Sequence, residues 1–201
     1  MTIVDSTVAA RTAAAAAPIR QVVAAVRDDQ WPLPTPCEDF SVADLVAHLL
    51  HWGPVLAGAG RKEAVPPGGD PPADRRAALL RQLDATAAAW GAPRAWEGET
   101  SMGSPDPMPA PLIGGMVLGE MVVHGWDLAV ATGRSVSWDD DVLEFVLGQV
   151  AATAGWGRDM GVYADEVPVP ATAPVLDRLL GLTGRDPGWT PGRGQRPGTA
   201  T

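Results

Sequence analysis

The stretch LIGGMVLGEMVVHGWDLAVATG sets a carboxylate, Glu120, four residues before an imidazole, His124, in an otherwise apolar helical segment. At about 100° per residue, Ile113, Met116, Val117, Glu120, His124 and Asp127 fall within one helical face. A carboxylate on a core-facing stripe costs several kcal/mol unless its charge is compensated. Cationic side chains are scarce, 15 Lys and Arg against 24 Asp and Glu, so a metal ion is the simplest compensator.

His48 lies on a second apolar stripe, with Leu45, Leu49, Trp52 and Leu56. Two imidazoles and one carboxylate from two helices leave a coordination position open to water or substrate. That is the pattern of a catalytic rather than a structural zinc site. A Glu-x-x-x-His pair alone is weak evidence, because such pairs recur by chance on solvated helices. The apolar setting and the third donor carry the assignment, and His48, Glu120 and His124 are the expected ligands. If Glu120 proves exposed, His48 reverts to a hydrogen-bonded core histidine. His51 projects to the other side of its stripe and reads as surface or rim.

Asp127 has two readings: it orients a ligand histidine through its second ring nitrogen, or it ends the helix paired with Arg134 or Arg178. Cys37 reads as a small buried packing residue or as a catalytic thiol, which needs a base and an electropositive pocket. Trp31, Trp52, Trp126 and Trp156 read as core. No Gly-rich phosphate loop, nucleophile elbow or Cys-x-x-Cys occurs in the sequence.

The elements that must position these residues are helical. Residues 8–27 carry Ile19, Val22, Val23 and Val26 at helical spacing, with Pro18 starting or kinking the firmer part. WPLPTPCEDF predicts a rigid extended link. Ser41 opens the next helix through a capping box closed by Asp44. A third helix spans residues 73–90, with Leu79, Leu80, Leu83 and Trp90 on its apolar face. Residues 91–111 form a long Pro/Gly/Ser/Met loop, expected as a lid, a pocket wall or a disordered segment. The helix bearing Glu120 ends at Gly133, suited to a left-handed cap. Ser137 is the expected cap of an acidic-fronted helix, and a shorter helix closes the fold near Gly184. Apart from VPVP, no alternation of strand length appears. The expectation is an all-α four-helix bundle with long loops and a short C-terminal helix, a fold that builds metal sites from facing helices. It occupies residues 1–189, with 190–201 a disordered tail.

At 201 residues the chain is one domain's length, with 46% hydrophobic residues. No uninterrupted apolar run of spanning length is visible, and the N-terminus reads poorly as a secretory signal. A net charge of −9 argues against nucleic acid, which needs a basic stripe. A single cysteine, Cys37, excludes an intrachain disulfide and fits a reducing compartment. The expectation is a soluble cytoplasmic protein with no membrane partner. Lys62 is the only lysine, the usage of a GC-rich coding sequence.

TPCEDFSVADLVAHLLHW, GEMVVHGWDLAVATGR and VPVPATAPVLDRLLGLTGRDPGW resemble the DinB-like, mycothiol-dependent maleylpyruvate isomerase N-terminal family of actinobacteria. The resemblance covers most of residues 10–189 and implies a DinB-type bundle binding a divalent metal, usually zinc. The family's ligands fall on His48, Glu120 and His124, the trio reached from helical geometry. It also implies mycothiol, a low-molecular-weight thiol, as cosubstrate, with the metal favouring its thiolate. Addition of that thiolate to a small-molecule electrophile gives isomerisation if it is later eliminated, or S-transfer if it is not. The isomerase carries an additional C-terminal domain that helps form its active site; groups supplied from there have no counterpart in these residues, so the resemblance does not extend to maleylpyruvate as substrate. The alternatives are a non-catalytic metal or small-molecule binder, a stress-related homodimer module, and a metal-dependent hydrolase.

Overall fold

Helical periodicity becomes six α-helices in the computed structural model, which describes residues 3–37 and 40–191, with side chains from Thr7 onward. They are α1 (Ile3–Ala25), α2 (Val42–Arg61), α3 (Arg75–Trp90), α4 (Ala110–Ala131), α5 (Asp140–Asp159) and α6 (Val175–Leu182). The one described sheet is a two-stranded antiparallel pair, β1 (Glu99–Thr100) with β2 (Met108–Pro109). The chain is all-α in class. Both α1 and α2 pack on α3 and α4, which closes a four-helix bundle; α5 lies against α4, and α6 against α5.

This arrangement surrounds α4. Its buried residues, among them Ile113, Leu118, Val122, Trp126 and Leu128, run all round the helix rather than along one stripe. A helix apolar on every side is one enclosed by others. Gly125 marks the closest approach: a Cβ there would stand 2.9 Å from the Trp138 ring and 3.1 Å from Ile19 Cβ. Trp138 is itself fixed by its indole N–H, which donates to the Ala15 carbonyl at 3.0 Å. By length and composition α2 and α4 would each suffice to cross a bilayer, although charged residues interrupt both. In the fold 83% of the relevant α4 window is buried against protein.

Several local expectations hold. Ser41 and Asp44 form the capping box of α2, with Ser41 Oγ accepting from Asp44 N at 3.2 Å and Asp44 Oδ2 from Ser41 N at 3.0 Å. Gly133 is left-handed, φ +70°, just past α4. Pro18, by contrast, does not start a helix: α1 runs from Ile3 to Ala25 with the proline inside it.

Others need correction. Ser137 does not cap α5: the helix begins at Asp140 with Asp139 at the cap position, because Trp138 turns inward and is buried first. Trp52 and Trp156 are not core; they are 42% and 46% exposed, since their helices lie on the periphery at those turns. WPLPTPCEDF is no extended link but folds back on itself, with Thr35 N donating to the Phe40 carbonyl at 3.0 Å and Val42 N to that of Leu33 at 2.8 Å. Prolines forbid helix there, yet leave enough N–H groups to close a turn; residues 38–39 lie outside the described residues.

The 91–111 segment is structured and fastened to the far end of α2. Thr100 Oγ1 donates to the Ala59 carbonyl at 2.6 Å, and Lys62 Nζ to that of Glu97 at 2.7 Å. At 1.5 Å per residue, Ala59 is about 16 Å along α2 from His48. Met102 and Met108 pack onto the core there. The VPVP stretch is irregular and held by Val167 N donating to the Gly181 carbonyl at 3.0 Å. The expected disordered tail lies, from residue 192 on, outside the described residues.

Candidate metal centre

His48 projects from the second turn of α2 toward the middle of α4. Leu45 and Leu49, on either side of it in the stripe, are buried in the core and fix the helix orientation. Phe40, brought back by the proline turn, packs against the His48 ring at a centroid distance of 5.6 Å. On α4, Glu120 and His124 stand one turn apart on the side facing α2. Glu120 Oε2 lies 3.3 Å from His124 Nε2 and 3.8 Å from His48 Nε2. The two imidazole rings meet edge to face at 5.4 Å.

Ligand atoms of His48, Glu120 and His124 all fall within 4.8 Å of one another. Bonds of about 2.0–2.2 Å to a tetrahedral zinc put neighbouring ligand atoms roughly 3.3–3.6 Å apart. The 3.3 Å separation falls in that range, and the 3.8 Å separation lies slightly above it. The donor set fits a divalent cation. Exposure is graded, with the side chains of His48 and Glu120 29% and 30% accessible and that of His124 9%. Glu120 is recessed rather than turned into bulk water, so an open face remains on the His48–Glu120 side.

Asp127 is wholly buried and accepts from His124 Nδ1 at 2.9 Å, which leaves Nε2 directed at Glu120. The second role foreseen for it fails in detail. Arg134 instead binds Gln30 and the Thr132 carbonyl, and Arg178 pairs with Glu144. The cation at Asp127 is Arg185, 8% exposed, whose Nη2 donates to Asp127 Oδ2 at 3.2 Å. Its Nη1 donates to the Thr183 carbonyl at 2.8 Å. Sequence reading missed Arg185, because it lies in the turn after α6, where no periodicity or motif ties it to α4.

Cys37 joins a second, overlapping group, its sulfur within 4.8 Å of ligand atoms of His124 and Asp127. It is half-buried at the tip of the proline turn. That group is the poorer cation site, since Arg185 already neutralises Asp127 and the Nδ1 of His124 is engaged. His51 faces away, as expected, its Nδ1 2.7 Å from the Gly68 carbonyl oxygen.

The electrostatics follow from this crowding. Burial works against the charged form of Glu120, but His124 and His48 outweigh it, and its carboxyl ends well below the usual carboxylate range. Burial likewise opposes a charged His124; Glu120 and Asp127 prevail and raise it from 6.5 to about 9. Tyr163 is pushed up to about 12, chiefly by burial and then by the Glu120 charge, with Arg185 pulling the other way. It is a neutral phenol near the centre.

The family model described as the mycothiol maleylpyruvate isomerase N-terminal domain matches residues 12–129, more than half of the chain. The chain belongs to that family. Two uncharacterized proteins of Mycobacterium tuberculosis, from strains CDC 1551 / Oshkosh and ATCC 25618 / H37Rv, are each 32% identical over 169 residues. Those alignments cover 82% of this chain and 90% of each relative. No solved structure matches. The mycothiol maleylpyruvate isomerase match takes in His48, Glu120, His124 and Asp127, whereas Tyr163 and Arg185 lie beyond it.

Proposed function

We propose that this chain is a cytoplasmic, metal-dependent enzyme of the thiol-transferase or thiol-dependent isomerase type, with mycothiol as cosubstrate. The observation that carries the reading is the convergence of His48, Glu120 and His124 from two helices at separations suited to a divalent, zinc-like ion. Such a cation, when bound, supplies Lewis acidity that favours the thiolate form of a thiol at neutral pH.

The protein's own groups have distinct tasks. His48, Glu120 and His124 would hold the cation, and the accessible side of His48 and Glu120 is where substrate would approach. Asp127 keeps the His124 Nδ1 proton and so the ring orientation. The thiolate adds to an electrophilic carbon: a C–S bond forms as the π bond breaks. Rotation about the resulting single bond and reversal of that step break the C–S bond, re-form the π bond in isomerised geometry and release the thiolate. Protonation of the adjacent carbon instead retains the C–S bond and gives an S-conjugate.

The deciding experiment incubates zinc-loaded protein with mycothiol and a panel of activated alkenes, and reads products by mass spectrometry. Thiol-dependent isomerisation or conjugation that disappears in His124→Ala is the expected result. Turnover that proceeds equally without thiol would replace this reading with metal-dependent hydrolysis.

A further inference from the structure

We infer that Arg185 is a positioning residue of the metal centre, acting through Asp127 on His124. This rests on the metal reading above and extends it to a segment outside the family match. Three contacts carry it: Arg185 Nη2 to Asp127 Oδ2 at 3.2 Å, Asp127 Oδ2 to His124 Nδ1 at 2.9 Å, and His124 Nε2 beside Glu120 Oε2 at 3.3 Å.

Charge counting gives the reason. Asp127 is fully buried, and a buried carboxylate without a partner is strongly destabilised. A histidine that gives Nε2 to a cation is neutral, because its one remaining proton sits on Nδ1. In the cation-loaded protein His124 therefore offers Asp127 a hydrogen bond but no charge. Among the described residues, Arg185 is then the only positive side chain in contact with that carboxylate. Among the described residues Asp127 Oδ1 has no donor, so the geometry of the carboxylate is set by the two contacts to Oδ2.

Arg185 is well placed to be rigid. Its backbone N donates to the Leu180 carbonyl at 2.9 Å, and Gly184 before it is left-handed, φ +81°. A Cβ at Gly184 would lie 2.6 Å from Ala164 Cβ, so this turn is fitted against the segment that also carries Tyr163. The closing helix thus fastens a charge onto the bundle's metal-bearing face.

The test is zinc affinity and the visible spectrum of the cobalt-substituted protein, measured on the full chain for Arg185→Met and Arg185→Lys, each in wild-type and Asp127→Asn backgrounds. Arg185→Met is expected to weaken zinc binding by about 10–100-fold, the usual scale for supporting partners of a ligand histidine. Arg185→Lys should recover most of the loss and the cobalt spectrum. In the Asp127→Asn background Arg185→Met should have no further effect. Wild-type affinity in Arg185→Met, or an equal loss in both backgrounds, would overturn the inference while leaving the metal reading intact. If Arg185→Met does not fold, the Lys variant and the doubly neutral Asp127→Asn/Arg185→Met protein supply the same comparison. Zinc binding that is negligible in wild type and unchanged by His124→Ala would instead remove the metal reading itself, and this role with it.

Discussion

His48 Nε2 and Glu120 Oε2 stand 3.8 Å apart across the α2–α4 interface, on helices separated in sequence by the whole of α3 and the hairpin. This cross-helix approach turns a local Glu–His pair into a three-donor set. It also separates the two overlapping candidate groups by mutation. His48→Ala should abolish stoichiometric zinc, whereas Cys37→Ser should retain it. Elemental analysis of the purified variants decides; zinc lost in Cys37→Ser and kept in His48→Ala would transfer the centre to the Cys37 group.

Zinc affinity should rise with pH. In the metal-free protein His124 holds its proton up to about 9, so a cation must displace it. Titration calorimetry in buffers of different ionisation enthalpy should show about one proton released per zinc near neutrality. Affinity independent of pH below that value would contradict the ligand role of His124.

The same two groups give the metal-free fold a pH window. The raised His124 contributes stability that is fully present below its ordinary 6.5 and lost as pH climbs through about 9. The lowered Glu120 contributes stability present above its ordinary 4.5 and lost as pH falls through its folded value. The stability advantage of metal-free wild type over Glu120→Gln should therefore peak between those ordinary values and shrink on the alkaline side. Urea unfolding at a series of pH values measures it; an advantage that grew toward pH 9 would refute the pairing.

Chelation should leave the bundle folded. Leu45, Leu49, Val117, Met121 and Trp90 belong to one continuous core built of apolar side chains. Far-UV circular dichroism should be unchanged on adding a chelator, with Tm lowered only by the linkage of binding to folding. Collapse of the helical signal would make the ion structural.

Gly125→Ala should destabilise the protein by about 1–3 kcal/mol, the range for overpacking a filled core. Its Cβ would press on Trp138 and Ile19, both buried in the core. Denaturant midpoints read the effect, and Gly119→Ala, where the nearest side-chain atoms stand 3.9 Å away, is the matched control.

Local regularities of the chain were enough to determine much of this. Helical spacing and the Ser41–Asp44 box located the helix that carries His48, and the one-turn separation of Glu120 and His124 set them on a common side of α4. These are properties of 3.6-residue periodicity and short-range hydrogen bonding, so they are written in contiguous residues. Tertiary structure alone decided the rest. Which turns of α2 and α5 face outward depends on their neighbours, and so Trp52 and Trp156 came out exposed. The partner of Asp127 depended on where the turn after α6 lands; Arg185 prevailed over Arg134 and Arg178 through folding geometry, not sequence distance. Desolvation and charge pairing act through space, and only packing brings a closing segment's guanidinium onto the buried carboxylate that holds His124.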